Sequence, residues 1–149
     1  MMMRLLTLLF LVLGAMSSKA QIDVPIRWKY KLIEDTIPGQ YFVEAKATLQ
    51  SGWHIFTNEP GGDGLLMPTD FVLDADSALT NIGPIELVGQ VTQKDIEGMG
   101  VVNYFENEAI FRRTITLKEK VQLSGSLHYQ ICNDEMCLPP AEELFLIKP

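Results

Sequence analysis

Cys132 and Cys137 are the residues of this chain whose type and spacing could carry electrons. They are its only two cysteines, four residues lie between them, and Pro139-Pro140 follows closely. Thiol–disulfide exchange requires one thiolate that a partner can reach and a second thiol that resolves the resulting mixed disulfide. Two neighbouring cysteines can meet that requirement.

Other side chains near the pair bear on its reactivity. Asp134 and Glu135 lie between the cysteines, and nearby negative charge disfavours a thiolate. His128 precedes Cys132 by an even number of residues on one predicted strand, so it could share a face with that cysteine and favour its thiolate. The alternative is an ordinary surface or packing histidine.

A copper carrier is an alternative function for the same region. Cys132, Met136 and Cys137 are soft ligands of the kind that hold Cu(I), and His54 or His128 could complete the set. A structural zinc site is not expected, because the spacing lacks the second pair of ligands that such a site needs.

The N-terminus predicts export to an oxidising compartment. Arg4 precedes an apolar run over residues 5–15, and the small-x-small pattern Ser18-Lys19-Ala20 follows it. This order is typical of a secretory signal peptide, here residues 1–20, cleaved near Ala20. The apolar run is about ten residues, whereas a membrane-spanning helix needs about 20. We therefore expect one soluble mature domain over residues 21–149, in which a disulfide can form.

The charge of the mature chain excludes one class of partner. Two of the 12 basic residues, Arg4 and Lys19, lie in the signal region, which leaves 10 basic and 19 acidic residues and a net charge of −9. Such a surface repels nucleic acid and anionic lipid. We expect a monomer that binds no nucleic acid.

The apolar pattern after residue 21 predicts strands and no long helix. In Tyr41–Leu49, the odd positions from Val43 onward are apolar and the even positions are polar, as in a half-buried strand. Similar runs occupy Ile26–Ile33, Trp53–Thr57, Asp70–Leu73, Ile85–Val91, Ala109–Thr116, Val121–Ile131 and Glu143–Ile147.

Turn residues separate these runs, for example at Ile82-Gly83-Pro84 and at Glu97-Gly98-Met99-Gly100. Seven or eight short strands with regular breaks predict an all-β fold, a β-sandwich. We also predict two long loops, Asn58–Thr69 and Thr92–Glu108, which on a rigid sandwich often carry function.

A structural staple, in a binding module without catalytic function, is the competing interpretation of the cysteine pair. A closed ring of about six residues stabilises a fold by only about 2 kcal/mol in the loop-closure model. The stabilising bridge of a β-sandwich usually joins the two sheets, whereas exposed or strained disulfides are the labile ones. The short ring favours the redox interpretation and leaves the staple open.

The cysteine region resembles the N-terminal periplasmic domains of the DsbD family of thiol–disulfide interchange proteins. The resemblance rests on Tyr129-Gln130-Ile131-Cys132 and Cys137-Leu138-Pro139-Pro140. It extends more weakly through residues 51–56, Met67-Pro68-Thr69 and Ile110-Phe111-Arg112. It implies an immunoglobulin-like sandwich in the periplasm with protein-disulfide reductase activity.

The resemblance also implies partners. Cys132 and Cys137 would be the exchanging pair, with no metal and no cofactor besides their disulfide. Electrons would come from a membrane-embedded thiol reductase and pass to periplasmic thioredoxin-like proteins. Cys137 would be the sulfur that joins the downstream partner.

In that family an aromatic cap loop covers the cysteines, and the matching stretch here is Asn103-Tyr104-Phe105. Tyr104 would be the shield, with Phe105 beside it. His54 and Phe56 occupy positions at which the family has tyrosines near the cysteines.

Overall fold

A computed structural model describes residues 24–148 of the protein, so the predicted signal peptide lies outside the described residues. The described part contains eleven strands and no helix that is long and apolar enough to cross a membrane. The strands are β1 (Ile26–Glu34), β2 (Gln40–Leu49), β3 (His54–Gly61), β4 (Asp70–Leu73), β5 (Leu79–Val88), β6 (Thr92–Ile96), β7 (Gly100–Glu106), β8 (Glu108–Leu117), β9 (Leu123–Tyr129), β10 (Ile131–Cys132) and β11 (Ala141–Ile147).

The strands form two layers around one main core. Their three sheets have the strand orders β1-β2-β8-β5, β10-β3-β7-β6 and β11-β9-β4. All the strand pairs are antiparallel. Inward side chains from all three sheets share the main core. The expected immunoglobulin-like β-sandwich is thereby confirmed.

Large apolar side chains fill the main core. Phe71, Phe105 and Phe111 have no exposed surface, and the rings of Phe105 and Phe111 meet edge to face with centroids 5.8 Å apart. Burial of each such side chain contributes about 1.5–3 kcal/mol. Ile131 in this core anchors β10, the strand that carries Cys132.

The prediction of a loop over Thr92–Glu108 is wrong, because β6 and β7 form a hairpin there. β6 is polar along most of its length, since it is an edge strand with largely exposed faces. In β7, Tyr104 and Phe105 are both buried although they are adjacent, because the two faces of the strand meet different apolar clusters. Neither strand therefore shows simple apolar–polar alternation.

Three other predicted boundaries also differ from the structure. Ile82-Gly83-Pro84 is an irregularity within β5 rather than a turn, and Pro84 is tolerated because β5 lies at a sheet edge. The predicted strand Val121–Ile131 is divided at Gln130 into β9 and β10. β3 continues through Gly61, and so occupies the first part of the predicted loop Asn58–Thr69.

Gly125 allows a close approach at the centre of the three-stranded sheet. It lies opposite Phe145 of β11 on one side and Leu73 of β4 on the other. A Cβ atom at this position would lie 2.1 Å from the carbonyl oxygen of Val72 and 2.5 Å from Cζ of Phe145. The ring of Phe145 in turn packs on Phe71, with centroids 5.4 Å apart.

We expect Gly125→Ala to lower the free energy of unfolding by about 1–3 kcal/mol, because the added methyl must displace the Phe145 ring or the backbone of β4. Urea denaturation followed by tryptophan fluorescence measures this loss. Ser126→Ala, on the adjacent outward-facing position, is the control and should change stability by no more than about 0.5 kcal/mol. Equal midpoints for the two variants would contradict this account of the sheet.

Candidate functional site

The two cysteines lie opposite each other in a tight hairpin. Cys132 ends β10 and Cys137 faces it across an isolated antiparallel bridge. Their sulfur atoms form a disulfide, with the Cα atoms 4.0 Å apart. The amide of Leu138 donates to the carbonyl of Ile131 at 3.0 Å on one side of the pair, and the amide of Asn133 donates to the carbonyl of Met136 at 2.9 Å on the other. Backbone hydrogen bonds thus flank the disulfide on both sides.

Asn133 holds the turn between the cysteines. Its side-chain oxygen accepts hydrogen bonds from the amides of Glu135, at 2.9 Å, and Met136, at 2.8 Å. Asparagine often satisfies turn amides in this way. This role of Asn133 was not predicted from the sequence, although an asparagine directly after the first cysteine is a recognisable turn signal.

The two sulfurs differ in accessibility. Cys132 is only 2% exposed, because it belongs to an apolar cluster with Phe56, Val102 and Tyr104. Cys137, on the returning side of the hairpin, is exposed. A reagent or partner that approaches from solvent therefore reaches Cys137 first.

Three apolar side chains pack onto the cluster that buries Cys132. They are Leu66, Ile96 and Met99, which we call the cover. A Cβ atom on Gly62 would lie 3.1 Å from Cδ1 of Leu66 and 3.3 Å from Cγ of Met99. A glycine at position 62 thus lets these two side chains approach the backbone of the β3–β4 connection.

A buried threonine anchors the connection that carries Leu66. The Thr69 hydroxyl donates to the carbonyl of Phe56 at 2.6 Å, and its amide donates to the carbonyl of Thr57 at 3.0 Å. Both contacts join the end of the connection to β3. The cover was not predicted from the sequence, because its members come from two segments that were predicted to be loops.

A cleft of about 690 Å³ opens beside the disulfide, and both cysteines line it. Its wall also contains four acidic residues and one lysine. These charged residues are Lys94, Asp95, Glu97, Glu106 and Asp134. The excess of negative charge disfavours a thiolate and favours an approaching surface that is positively charged.

His54 is the residue directly opposite Cys132 in the pairing of β3 with β10. Its ring packs against Tyr104, with centroids 4.6 Å apart, and against Phe56 at 5.6 Å. Burial lowers the pKa of His54 below its usual value of 6.5, and Lys94 acts in the same direction, while Glu106 and Asp134 oppose the shift. The imidazole is therefore neutral at pH 7.

The structure brings three of the predicted residues into the cleft with the cysteines: His54, Phe56 and Tyr104. His128 lies elsewhere. It belongs to β9, where its Nε2 lies 3.0 Å from the Ser126 hydroxyl and 3.8 Å from a carboxylate oxygen of Glu142. The expectation that His128 shares a face with Cys132 is wrong, because the strand is interrupted between them.

The stretch Asn103-Tyr104-Phe105 is not a loop, contrary to expectation. It lies in β7, which is paired with β3 on one side and β6 on the other. Phe105 faces the main core, and Asn103 points away from the cysteines to donate to the carbonyl of Glu59 at 3.0 Å. Only Tyr104 packs with Cys132, because alternate residues of a strand point to opposite faces.

Within residues 24–148 there is no group of three or more histidine, cysteine and acidic side chains placed to hold a metal ion. Met136, the third sulfur of the copper alternative, lies on the hairpin turn and is exposed. Both cysteine sulfurs are engaged in the disulfide.

The family model described as "Thiol:disulfide interchange protein DsbD, N-terminal" matches residues 33–149. No curated protein matches the chain in sequence. The structure is similar to the N-terminal periplasmic domain of ScsB from Proteus mirabilis, with a TM-score of 0.63 and 13% identity over 83% of this chain. The similar region spans only 46% of that ScsB chain.

Two structures from Neisseria meningitidis are also similar. The DsbD N-terminal domain in the reduced form has a TM-score of 0.56 and 16% identity, over 82% of this chain and 85% of that one. The complex between the DsbD N-terminal and PilB N-terminal domains gives a TM-score of 0.53 and 13% identity, over 80% of each chain. These likenesses show a shared fold.

After reduction, we expect limiting iodoacetamide to label Cys137 before Cys132, by about tenfold or more, because the cover and its cluster bury Cys132. Peptide mass mapping measures the two rates. Met99→Ser, which removes part of the cover, should reduce the ratio of the Cys137 labelling rate to the Cys132 labelling rate. Unfolding in urea should make the two rates equal. Faster labelling of Cys132 in the folded protein would contradict the assignment of Cys137 as the accessible sulfur.

Proposed function

Because the chain belongs to the family of DsbD N-terminal domains, we propose that Cys132 and Cys137 cycle between a dithiol and a disulfide and so carry electron pairs between proteins. The family membership supports thiol–disulfide exchange as the class of reaction. The observation that carries the proposal for these two residues is their unequal exposure, with Cys137 open to solvent and Cys132 buried beside it.

The exchange begins at Cys137 in the reduced protein. Its thiolate attacks one sulfur of a partner disulfide, a new bond joins Cys137 to that sulfur, and the second partner sulfur leaves as a thiolate. Cys132 then attacks the Sγ of Cys137, which forms the Cys132–Cys137 disulfide and releases the first partner sulfur. The partner has gained two electrons, and the protein has lost two.

The reverse sequence reduces the Cys132–Cys137 disulfide. A donor thiolate attacks the exposed sulfur of Cys137, and Cys132 leaves as a thiolate into the apolar cluster. A second donor thiol then releases Cys137. We propose a membrane-embedded thiol reductase as this donor, as the resemblance of the cysteine region implies.

We propose thioredoxin-like proteins of the periplasm as the acceptors. The complex of a Neisseria DsbD N-terminal domain with the PilB N-terminal domain supports a protein as the partner at this fold. The periplasmic location of the ScsB domain supports the same compartment for this chain. The acidic wall of the cleft favours acceptors with positive charge around their own cysteines.

We expect the reduction potential of the Cys132–Cys137 disulfide to lie between roughly −270 and −180 mV, the span of proteins that exchange disulfides. Equilibration of the folded protein in glutathione and dithiothreitol buffers, with thiol counting by mass spectrometry, gives the value. A potential well below about −300 mV is typical of a structural disulfide, and it would overturn the proposed function.

The order of attack predicts how single-cysteine variants behave with glutathione disulfide. Reduced Cys132→Ser should accumulate a stable glutathione adduct on Cys137, because no second thiol remains to resolve it. Cys137→Ser should form its adduct several-fold more slowly, since Cys132 is buried, and the wild type should end as the internal disulfide. Intact-protein mass spectra distinguish these species. Equal rates in both variants would show that burial does not set the order.

A further inference from the structure

We propose that His54 is the base that takes the proton of Cys132 when this thiol resolves the mixed disulfide on Cys137. The inference rests on the proposed function and assigns a catalytic residue to its second step. It concerns the buried cysteine alone, because the exposed Cys137 can lose its proton directly to water.

The strand register brings the two groups together. β10 contains only two residues, and it pairs Ile131 with Ile55 and Cys132 with His54. Ile131 and Ile55 both belong to the main core. Since side chains alternate along a strand, Cys132 and His54 share the opposite face, with their Cβ atoms about 4.5–5.5 Å apart as in any directly opposed pair. Both line the cleft beside the disulfide.

Cys132 is the thiol that needs a base. It lies among Phe56, Val102 and Tyr104 and is 2% exposed, so water is largely excluded from its sulfur. A thiol in such surroundings holds its proton, whereas exchange requires the thiolate. The carboxylates of Glu106 and Asp134 in the cleft add to this difficulty, because they disfavour a second negative charge.

His54 has the properties that the step requires. Contacts with Tyr104 and Phe56 hold its ring in place, and burial lowers its pKa below 6.5, so that it is neutral and can accept a proton at pH 7. Once protonated, the imidazolium faces Glu106 of β7 and Asp134 of the hairpin turn, which stabilise it, and Lys94 of β6, which opposes them.

Two more carboxylates, Asp95 and Glu97, line the same cleft at the end of the β6–β7 hairpin. Lys94 lies next to Asp95 in β6. The two carboxylates add to the negative charge of the cleft wall. The acidic wall that disfavours a free thiolate thus favours transfer of its proton to His54.

The proton of the Cys132 thiol passes to an imidazole nitrogen of His54 while the Cys132 sulfur attacks the Sγ of Cys137. The bond between Cys137 and the partner sulfur breaks, and its electron pair leaves with the partner as a thiolate. His54 then returns the proton to that thiolate or to water, and no external oxidant or reductant is needed.

The test uses dithiobis(nitrobenzoate), an aromatic disulfide that releases one coloured thiolate at each step of its reaction with the reduced protein. The first release reports attack by Cys137, and the second reports resolution by Cys132. Stopped-flow absorbance resolves the two rates between about pH 6 and about pH 10, on either side of an ordinary thiol pKa of about 8.5.

Two substitutions at the proposed base and one elsewhere make the comparison. His54→Gln removes the base. His54→Phe also removes the base but keeps an aromatic ring against Tyr104 and Phe56. His128→Gln is the matched control, because His128 is the only other histidine and lies outside the cleft.

In both His54 variants we expect the second release to slow by about a hundredfold near pH 7, the low end of what a general base contributes. The first release should change little, and His128→Gln should match the wild type. The ratio of the wild-type rate to the variant rate should fall towards one as the pH approaches about 10, because hydroxide then forms the Cys132 thiolate without His54.

A second release that keeps the wild-type rate in His54→Phe would overturn the role of His54. A decrease in this rate that is the same at every pH would also overturn it, because such a decrease indicates a structural effect. Failure of the proposed function is distinct from these outcomes. It would appear in the wild type itself as a reduction potential well below about −300 mV, which is typical of a structural disulfide, and it would overturn both proposals.

Discussion

The antiparallel register of the two-residue strand β10 against β3 is the constraint on which the site depends. It directs Ile131 and Ile55 into the main core and leaves Cys132 and His54 on the outer face. A shift of one residue would reverse every side chain, and so would place the cysteine in the sandwich core and an isoleucine in the cleft. Burial of the two isoleucines, each worth about 1.5–3 kcal/mol, holds the register.

The outer face of β3 and β7 carries a second apolar cluster, and this cluster makes the two sulfurs unequal. Phe56, Val102 and Tyr104 surround Cys132, while the hairpin turn carries Cys137 away from them. β7 is therefore buried on both faces, with Phe105 in the main core. A sandwich that buried only its interior would expose both sulfurs alike and would give a partner no preferred point of attack.

The sequence predicted those parts of the fold in which one face of a strand is buried and the other is exposed. Val43–Leu49 alternates cleanly, and β2 forms there. The hairpin of β6 and β7 escaped prediction because one strand is exposed on both faces and the other is buried on both. The cysteine pair was evident from spacing, and Tyr104 from resemblance. Leu66, Ile96 and Met99 were missed, since only the folded chain brings residues from separate connections together.

The negative charge of the cleft has opposite consequences for the two cysteines. At Cys137, which is exposed, water screens the carboxylates and a basic partner surface can offset them as it docks. At Cys132, which is buried, neither water nor a partner surface can offset the carboxylates. An ordinary thiol is only a few per cent ionised at pH 7 even in water. A neutral base on the same face removes the proton without adding net charge to the apolar cluster, because imidazole and thiol together carry the same charge before and after the transfer. Burial of Cys132 disfavours the loss of its proton, and His54, directly opposite in the strand pairing, is placed to accept that proton.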